Sequence, residues 1–260
     1  MIPYYQVNAF TGDPFGGNPA GVCPLENWLS DELMQKIAAE NDLSETAFFA
    51  PEAGEFRLRW FAPAMEVDLC GHATLATAYV LFWELGYTQN QLVFQTRSGQ
   101  LSALREGERI LMDFPSRPAE PCNARDEVSR ALGRVPLEVL KSRDYVAVYA
   151  SAEEVAALEP DMARVAELDA LGVAATARGD GQADFVSRFF VPKAGIPEDP
   201  ATGSSHCSLI PYWAARLGKT EMFARQLSKR GGEIYCRLKG DRVEIGGRAA
   251  IYCRGELAVG

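Results

Sequence analysis

Arg59-Trp60-Phe61-Ala62-Pro63, followed by Cys70-Gly71-His72-Ala73-Thr74, returns in the second half of the chain as Arg188-Phe189-Phe190-Val191-Pro192, followed by Thr202-Gly203-Ser204-Ser205. Leu85-Gly86 then corresponds to Leu217-Gly218, Gly99 to Gly232, and Gly107-Glu108-Arg109-Ile110 to Gly240-Asp241-Arg242-Val243. The spacings repeat as well. Gly71 and Gly86 are 15 apart, as are Gly203 and Gly218; Gly99 and Gly107 are 8 apart, as are Gly232 and Gly240. The offset between halves drifts only from 129 to 133, which short loop insertions explain. A solenoid unit has a period of about 20–50 residues, so the longer period here reads as duplication of a whole domain. With 23 glycines in the chain, chance alignment is the plainer alternative, but five anchors in one order make it the weaker one.

The repeat identifies its own core. Ala73 to Leu85 carries a single charge, Glu84, and Leu75, Tyr79, Val80, Leu81, Phe82 and Trp83 cover every side of a helical wheel. Leu209 to Leu217 carries only Arg216. A helix that is apolar all round is buried all round. Pro211 is expected to kink the second helix or shorten its first turn. Alternating segments flank these helices, such as Phe56-Arg57-Leu58-Arg59-Trp60 before the first and Leu101 to Phe114 after it. Strands with one apolar face must cover something, and a sheet curled around each central helix is the simplest solution. The expected fold is therefore α+β, with two similar lobes. An N-terminal lobe, 1–117, and a C-terminal lobe, 118–260, divide within Pro115–Asn123, and the extreme C-terminus has the option of returning to the first lobe. Peripheral helices are expected at Ser30–Glu40, with Ser30 as N-cap and Asp31 and Glu32 in the first turn, and around Asn123–Leu132.

Composition narrows the function classes. The 260 residues are 47% hydrophobic and 23% charged, which fits a globular chain rather than a disordered one. The formal charge is −9 and no basic block interrupts it, which argues against nucleic acid or an anionic membrane as partner. Met1 to Gln35 contains no Lys or Arg, so the positive start of a secretory signal is missing. The longest apolar run, Ala73 to Trp83, is short of the ~20 residues a membrane span needs. The six cysteines (Cys23, Cys70, Cys122, Cys207, Cys236, Cys253) are scattered without a Cys-x-x-Cys, a pattern expected of reduced thiols in the cytoplasm.

Both core helices begin just after a glycine-bearing loop. Helix N-termini carry unpaired N–H donors and a partial positive charge. Gly71-His72 and Gly203-Ser204-Ser205 are thus two candidate anion sites, able to hold a carboxylate if they face one cleft; the plainer alternative is that each glycine only caps its loop. Asp68, His72 and Asp199 lie within a few residues of these starts. Glu45 opens the apolar segment Thr46-Ala47-Phe48-Phe49, where desolvation would raise its pKa and make it a usable acid/base; the plainer alternative is a solvated turn carboxylate. The Gly16-Gly17 turn is expected to place Asn18 near the cleft, against substrate.

Four ordered segments carry a resemblance. Asp13-Pro14-Phe15-Gly16-Gly17-Asn18-Pro19-Ala20, Ser44-Glu45-Thr46-Ala47-Phe48, Leu69-Cys70-Gly71-His72-Ala73-Thr74 and Glu198-Asp199-Pro200-Ala201-Thr202-Gly203-Ser204 resemble the signature segments of the phenazine-biosynthesis (PhzF-like) isomerase family. The resemblance spans nearly the whole chain. It implies the diaminopimelate-epimerase-like fold, with two pseudo-symmetric lobes, each a curled, mostly antiparallel sheet around a central helix, and an active site between them. It also implies a homodimer. Carried over by position, the family's general acid/base is Glu45, its cleft histidine His72, its aspartate Asp199 and its serine Ser204. The backbone N–H groups of Gly71-His72 and Gly203-Ser204 would grip a substrate carboxylate, with Asn18, Cys70 and Ser205 as further contacts.

The related epimerases use two thiols on opposite faces of one carbon. Cys70 occupies one thiol-like position, but the comparable place in the second half is Pro200-Ala201. Cys207 lies inside the helix, where burial as a small apolar residue is expected. A single carboxylate serving as acid and base suits moving a proton from one carbon to another. The expected function is a cofactor-independent isomerase of a small carboxylate-bearing metabolite. An amino-acid racemase or epimerase is the alternative among enzymes, and a non-catalytic carboxylate-binding protein the alternative of another class. No organic cofactor is required. No metal is expected either, since His72, His206 and Cys207 lack a metal-ligand spacing; His206 is expected to be a helix-start or packing residue. Gly218-Lys219-Thr220 imitates the end of a phosphate-binding loop, but position 213 is Trp where a glycine is required. Lys193 is expected to snorkel at the surface.

Overall fold

The computed structural model describes residues 1–259. Two compact units emerge, one of Met1–Asp113 together with the segment from Gly246 onward, the other of Phe114–Ile245. The fold is α+β and dominated by sheet, as expected.

In the first unit β1 (Ile2–Ala9) runs antiparallel to β2 (Asn18–Pro24). The helix α1 (Asp31–Asn41) then returns the chain to β3 (Glu45–Glu52), parallel to β2, and β4 (Glu55–Phe61) turns back antiparallel on β3. The short β5 (Glu66–Val67) folds against the end of β4 and leads into α2 (Gly71–Tyr79). After it β6 (Gln91–Thr96) pairs parallel with β4, and β7 (Gly99–Glu106) and β8 (Arg109–Pro115) follow as antiparallel neighbours.

The second unit repeats this grammar. It opens with β9 (Glu120–Pro121), α3 (Arg125–Leu132) and β10 (Glu138–Lys141). Then come β11 (Tyr145–Val148), α4 (Ala152–Ala156), α5 (Met162–Glu167), β12 (Val173–Arg178), β13 (Phe185–Phe190) and β14 (Glu198–Asp199). It closes with α6 (Gly203–Leu217), β15 (Glu221–Gln226), β16 (Gly232–Lys239) and β17 (Arg242–Gly247). The pair β11–β12 is parallel like β2–β3, β12–β13 antiparallel like β3–β4, and β13–β15 parallel like β4–β6. The last strand, β18 (Ala249–Leu257), pairs antiparallel with β1 in the first unit, Ile2 opposite Leu257.

The duplicated arginines share one task. Arg59 clasps Glu66 through two bonds of 2.7 and 2.9 Å, tying β4 to the segment that enters α2. Arg188 clasps Glu198 through bonds of 2.8 and 2.9 Å and ties β13 to the segment that enters α6. Such forks add directional strength that a single ion pair lacks. They hold the approach to each core helix in one path.

Local signals act where expected. Ser30 caps α1, its Oγ accepting from the Leu33 N–H at 3.3 Å, while Met34, Ile37 and Ala38 pack against Phe48 and Phe61. The second core helix runs from Gly203, well before its apolar stretch, and continues through Pro211. Proline removes one N–H and leaves the carbonyl four residues earlier without a helical donor. That carbonyl, of Cys207, accepts from the Arg117 N–H at 2.9 Å instead, so the helix neither breaks nor shortens. Cys207 itself is buried, and burial pushes its thiol up to about 11. Lys193 does more than snorkel: its ammonium donates to the Leu168 and Ala170 carbonyls just beyond α5.

The first core helix departs from expectation. It is α-helical only to Tyr79, then widens into a π turn at Val80–Glu84. Val80, Leu81 and Phe82 are buried, but Trp83 is 39% exposed and Leu85 47%. The inserted residue of a π turn shifts the following face. Glu84 thereby reaches the Arg254 guanidinium of β18, with bonds of 2.6 and 2.8 Å. No disulfide joins the six cysteines, and no helix among the described residues is long and apolar enough to cross a membrane.

Candidate active site

The first unit carries five of the nine candidate residues named from sequence. Gly17 turns the chain at φ +61°. Its Cβ position lies 2.2 Å from the Ala9 carbonyl oxygen. Asn18 follows, fully buried as the first residue of β2. A left-handed non-glycine residue and a backbone clash together are expected to make Gly17→Ala destabilising by roughly 2–4 kcal/mol. A urea midpoint equal to that of the native protein would exclude this role for Gly17.

Parallel pairing sets Ala20 of β2 opposite Glu45 of β3. That register carries the carboxylate to the start of α2. There Cys70 is the N-cap residue in extended conformation, and its thiol does not cap the helix. Cys70 Sγ lies 3.4 Å from His72 Nδ1, and His72 Nε2 lies 3.2 Å from Glu45 Oε2. Glu45 is partly exposed, whereas Cys70 and His72 are buried. Burial pushes His72 down to about 3, only partly offset by its bond to the Pro19 carbonyl. His72 is therefore a neutral imidazole at neutral pH. Its ring holds or passes a hydrogen bond next to Glu45 instead of forming a charged pair with it, the pattern of a neutral histidine serving as a donor. One donor atom each from Glu45, Cys70 and His72 lie within 4.8 Å of one another. Asp68 stands apart: its side chain is 76% exposed, 3.8 Å from Arg97.

The second unit carries the other four. Asp199 ends β14, and Thr202 precedes Gly203 as N-cap of α6. The Thr202 hydroxyl donates to Asp199 Oδ2, so it too leaves its helix start without a side-chain cap. The Ser205 hydroxyl turns inward to the Thr202 carbonyl at 3.0 Å. His206 is fully buried, its Nδ1 at 2.7 Å from the same carbonyl, in a packing position as expected. Ser204 Oγ accepts from the Arg143 guanidinium at 3.1 Å, and Arg143 also forks onto Asp144.

Two residues at this loop escaped the sequence reading, Arg143 and Gln226. Gln226 is 1% exposed. Its Oε1 accepts from the Thr202 N–H at 2.8 Å, and its Nε2 donates to the Asp199 carbonyl at 2.6 Å and to Thr202 Oγ1 at 3.1 Å. The amide is a template on which the Asp199–Thr202 loop is folded. The one available signal was a lone Gln ending the strand after the core helix, too weak to read without the contact. Gln226→Leu leaves a buried N–H and a buried C=O unpaired, a loss expected to be roughly 2–4 kcal/mol. Hydrogen exchange at the Thr202 amide should accelerate with it; unchanged protection there would contradict the template role.

Comparison with known proteins sets these two loops in context. In fold alone the chain is similar to a probable proline racemase from Agrobacterium radiobacter (TM-score 0.66, 10% identity, covering 100% of this chain and 94% of that one). In sequence it is 54% identical over 256 residues to an uncharacterized isomerase from Pseudomonas aeruginosa, covering 98% of each chain. The class defined is an isomerase of epimerase-like fold. Residues 7–255 match the family described as phenazine biosynthesis-like protein (PhzC-PhzF), and the chain belongs to that family. A PhzF-family protein from Enterococcus faecalis shares its structure with a TM-score of 0.97 at 46% identity, over 99% of each chain.

Proposed function

We propose that this chain moves a proton between carbons of a small carboxylate-bearing metabolite, with Glu45 as the general acid/base and no organic cofactor. The observation that carries the reading is the Glu45 carboxylate 3.2 Å from a neutral His72, beside a helix start that has no side-chain cap. The substrate carboxylate docks on helix-start N–H groups, those of Gly71-His72 in the unit that carries Glu45, which favour the negative charge that develops as a C–H bond breaks. Glu45 takes that proton and becomes a carboxylic acid. The electron pair left on carbon delocalises toward the docked carboxylate. The acid proton on Glu45 exchanges with solvent, Glu45 then delivers a proton to a different carbon, and the enzyme ends as it began. His72 holds the polar end by donating or relaying protons, with Asn18 and Cys70 as further contacts; the family resemblance gives Asp199 the proton-relaying role and Ser204 and Ser205 the positioning roles in the second unit.

The test needs no prior guess of substrate. The protein is incubated in heavy water with pooled amino acids, hydroxy acids and dihydroaromatic acids, and deuterium uptake is read by NMR. Label at a carbon other than the one deprotonated is the expected result. Label with inversion at the original carbon would assign an epimerase instead. A pooled carboxylate that binds without any exchange would favour a binding protein.

A further inference from the structure

We propose that Cys70, His72 and Glu45 form a binding site for one thiophilic divalent cation of the zinc class, and that its capture switches the candidate active site off. Three donors of different softness converge there from two elements that only the β2–β3 register brings together. Cys70 Sγ is 3.4 and 4.0 Å from the two ring nitrogens of His72, and His72 Nε2 is 3.2 Å from Glu45 Oε2. A tetrahedral ion with bonds of about 2.0 Å to nitrogen and oxygen and about 2.3 Å to sulfur holds its donors roughly 3.3–3.8 Å apart. The three donor atoms lie within 4.8 Å of one another, so side-chain rotation of up to about an ångström brings one ring nitrogen, the thiol and the carboxylate onto such an ion.

The donor set selects the metal class. Magnesium and calcium take oxygen cages, whereas a thiolate with an imidazole suits zinc and its neighbours. One ring N–H of His72 is held by the Pro19 carbonyl, which leaves the other nitrogen to coordinate; metal-binding histidines are typically oriented by such a partner. Three protein ligands leave a fourth position for water or a substrate carboxylate. On binding, the Cys70 S–H releases its proton to solvent and a sulfur–metal bond forms. The Glu45 oxygen pair that would take a substrate proton becomes a metal ligand. The switching-off rests on the reading of Glu45 as acid/base; the binding does not.

Cobalt(II) is the probe for the native protein. One equivalent should produce a thiolate-to-cobalt charge-transfer band with the intense visible absorption of four-coordinate cobalt, and zinc should displace it. Cys70→Ser should abolish the band, and Glu45→Gln should keep it while weakening binding by at least the roughly 10–100-fold that loss of an outer-shell partner costs. The chain has only two histidines, so zinc added to the native protein should move the His72 ring resonances and leave those of His206 in place. This last reading depends on no variant. A titration without the charge-transfer band, or a band that survives Cys70→Ser, or His72 resonances unmoved by zinc would each overturn the site. Binding with undiminished deuterium exchange would leave the metal site standing and remove the switch; absence of exchange even without metal would fault the reading of Glu45 alone.

Discussion

Glu45→Gln should abolish carbon–hydrogen exchange while the protein remains folded and still binds a carboxylate. The amide keeps the shape of the side chain and its place at the start of β3, but it can neither accept a proton from carbon nor return one. General acid–base catalysis contributes about 10²–10⁴-fold, and the loss should reach at least that range because the same group serves in both half-reactions. Folding should be little affected, since the amide is close to isosteric and keeps an oxygen acceptor and gains N–H donors at the first position of its strand. The comparison is deuterium uptake by NMR alongside carboxylate binding and far-ultraviolet circular dichroism. Exchange at the native rate in the variant would remove Glu45 as the base and leave His72 or Asp199 to be tested in its place.

Acid should unfold the protein through its two histidines. In the unfolded chain an imidazole takes up a proton near pH 6.5, but in the folded protein burial delays uptake to about 3 for His72 and about 4 for His206. Between those limits the unfolded state binds more protons than the folded one, so stability falls as pH drops below 6.5 and is fully retained above it. Each histidine contributes about 1.4 kcal/mol per pH unit in that window. From pH 7 to pH 4 the combined loss is on the order of 5 kcal/mol, comparable to the whole net stability of many domains. Paired carboxylates add to this only at lower pH; Glu66, for example, is held below its ordinary value by Arg59. Urea midpoints taken from pH 7 to 4.5 therefore isolate the histidines. His206→Gln should reduce the slope by about half, and a slope unchanged by that substitution would contradict the burial argument.

What was legible in the sequence was mostly local or repeated. The cap at Ser30 could be read because its partner, Leu33, lies three residues on and the bond closes within one turn. The duplication could be read because anchors recur at near-constant offset, and the pairing order recurs with them from β2 to β6 and from β11 to β15. Glu45 could be placed at the head of a strand because an apolar run begins directly after it. Its nearness to Cys70 was beyond local reading.

The sequence by itself determined the α+β class and the two core helices, and it singled out Glu45, His72 and Asp199 as polar residues beside apolar segments. Periodicity and capping are short-range, and they are written in adjacent residues. Only the tertiary structure decided that Cys70, His72 and Glu45 converge as one trio, because strand register brings Glu45 to the helix start. Only it showed the π turn that frees Trp83 and aims Glu84 at Arg254, the Arg117 N–H that lets Pro211 stay within a helix, and the Gln226 amide on which the Asp199 loop is built. Each of these satisfies a polar group or a packing face with a partner far along the chain. Such pairings follow from which surfaces meet once the sheets have formed, and spacing in sequence carries no record of them.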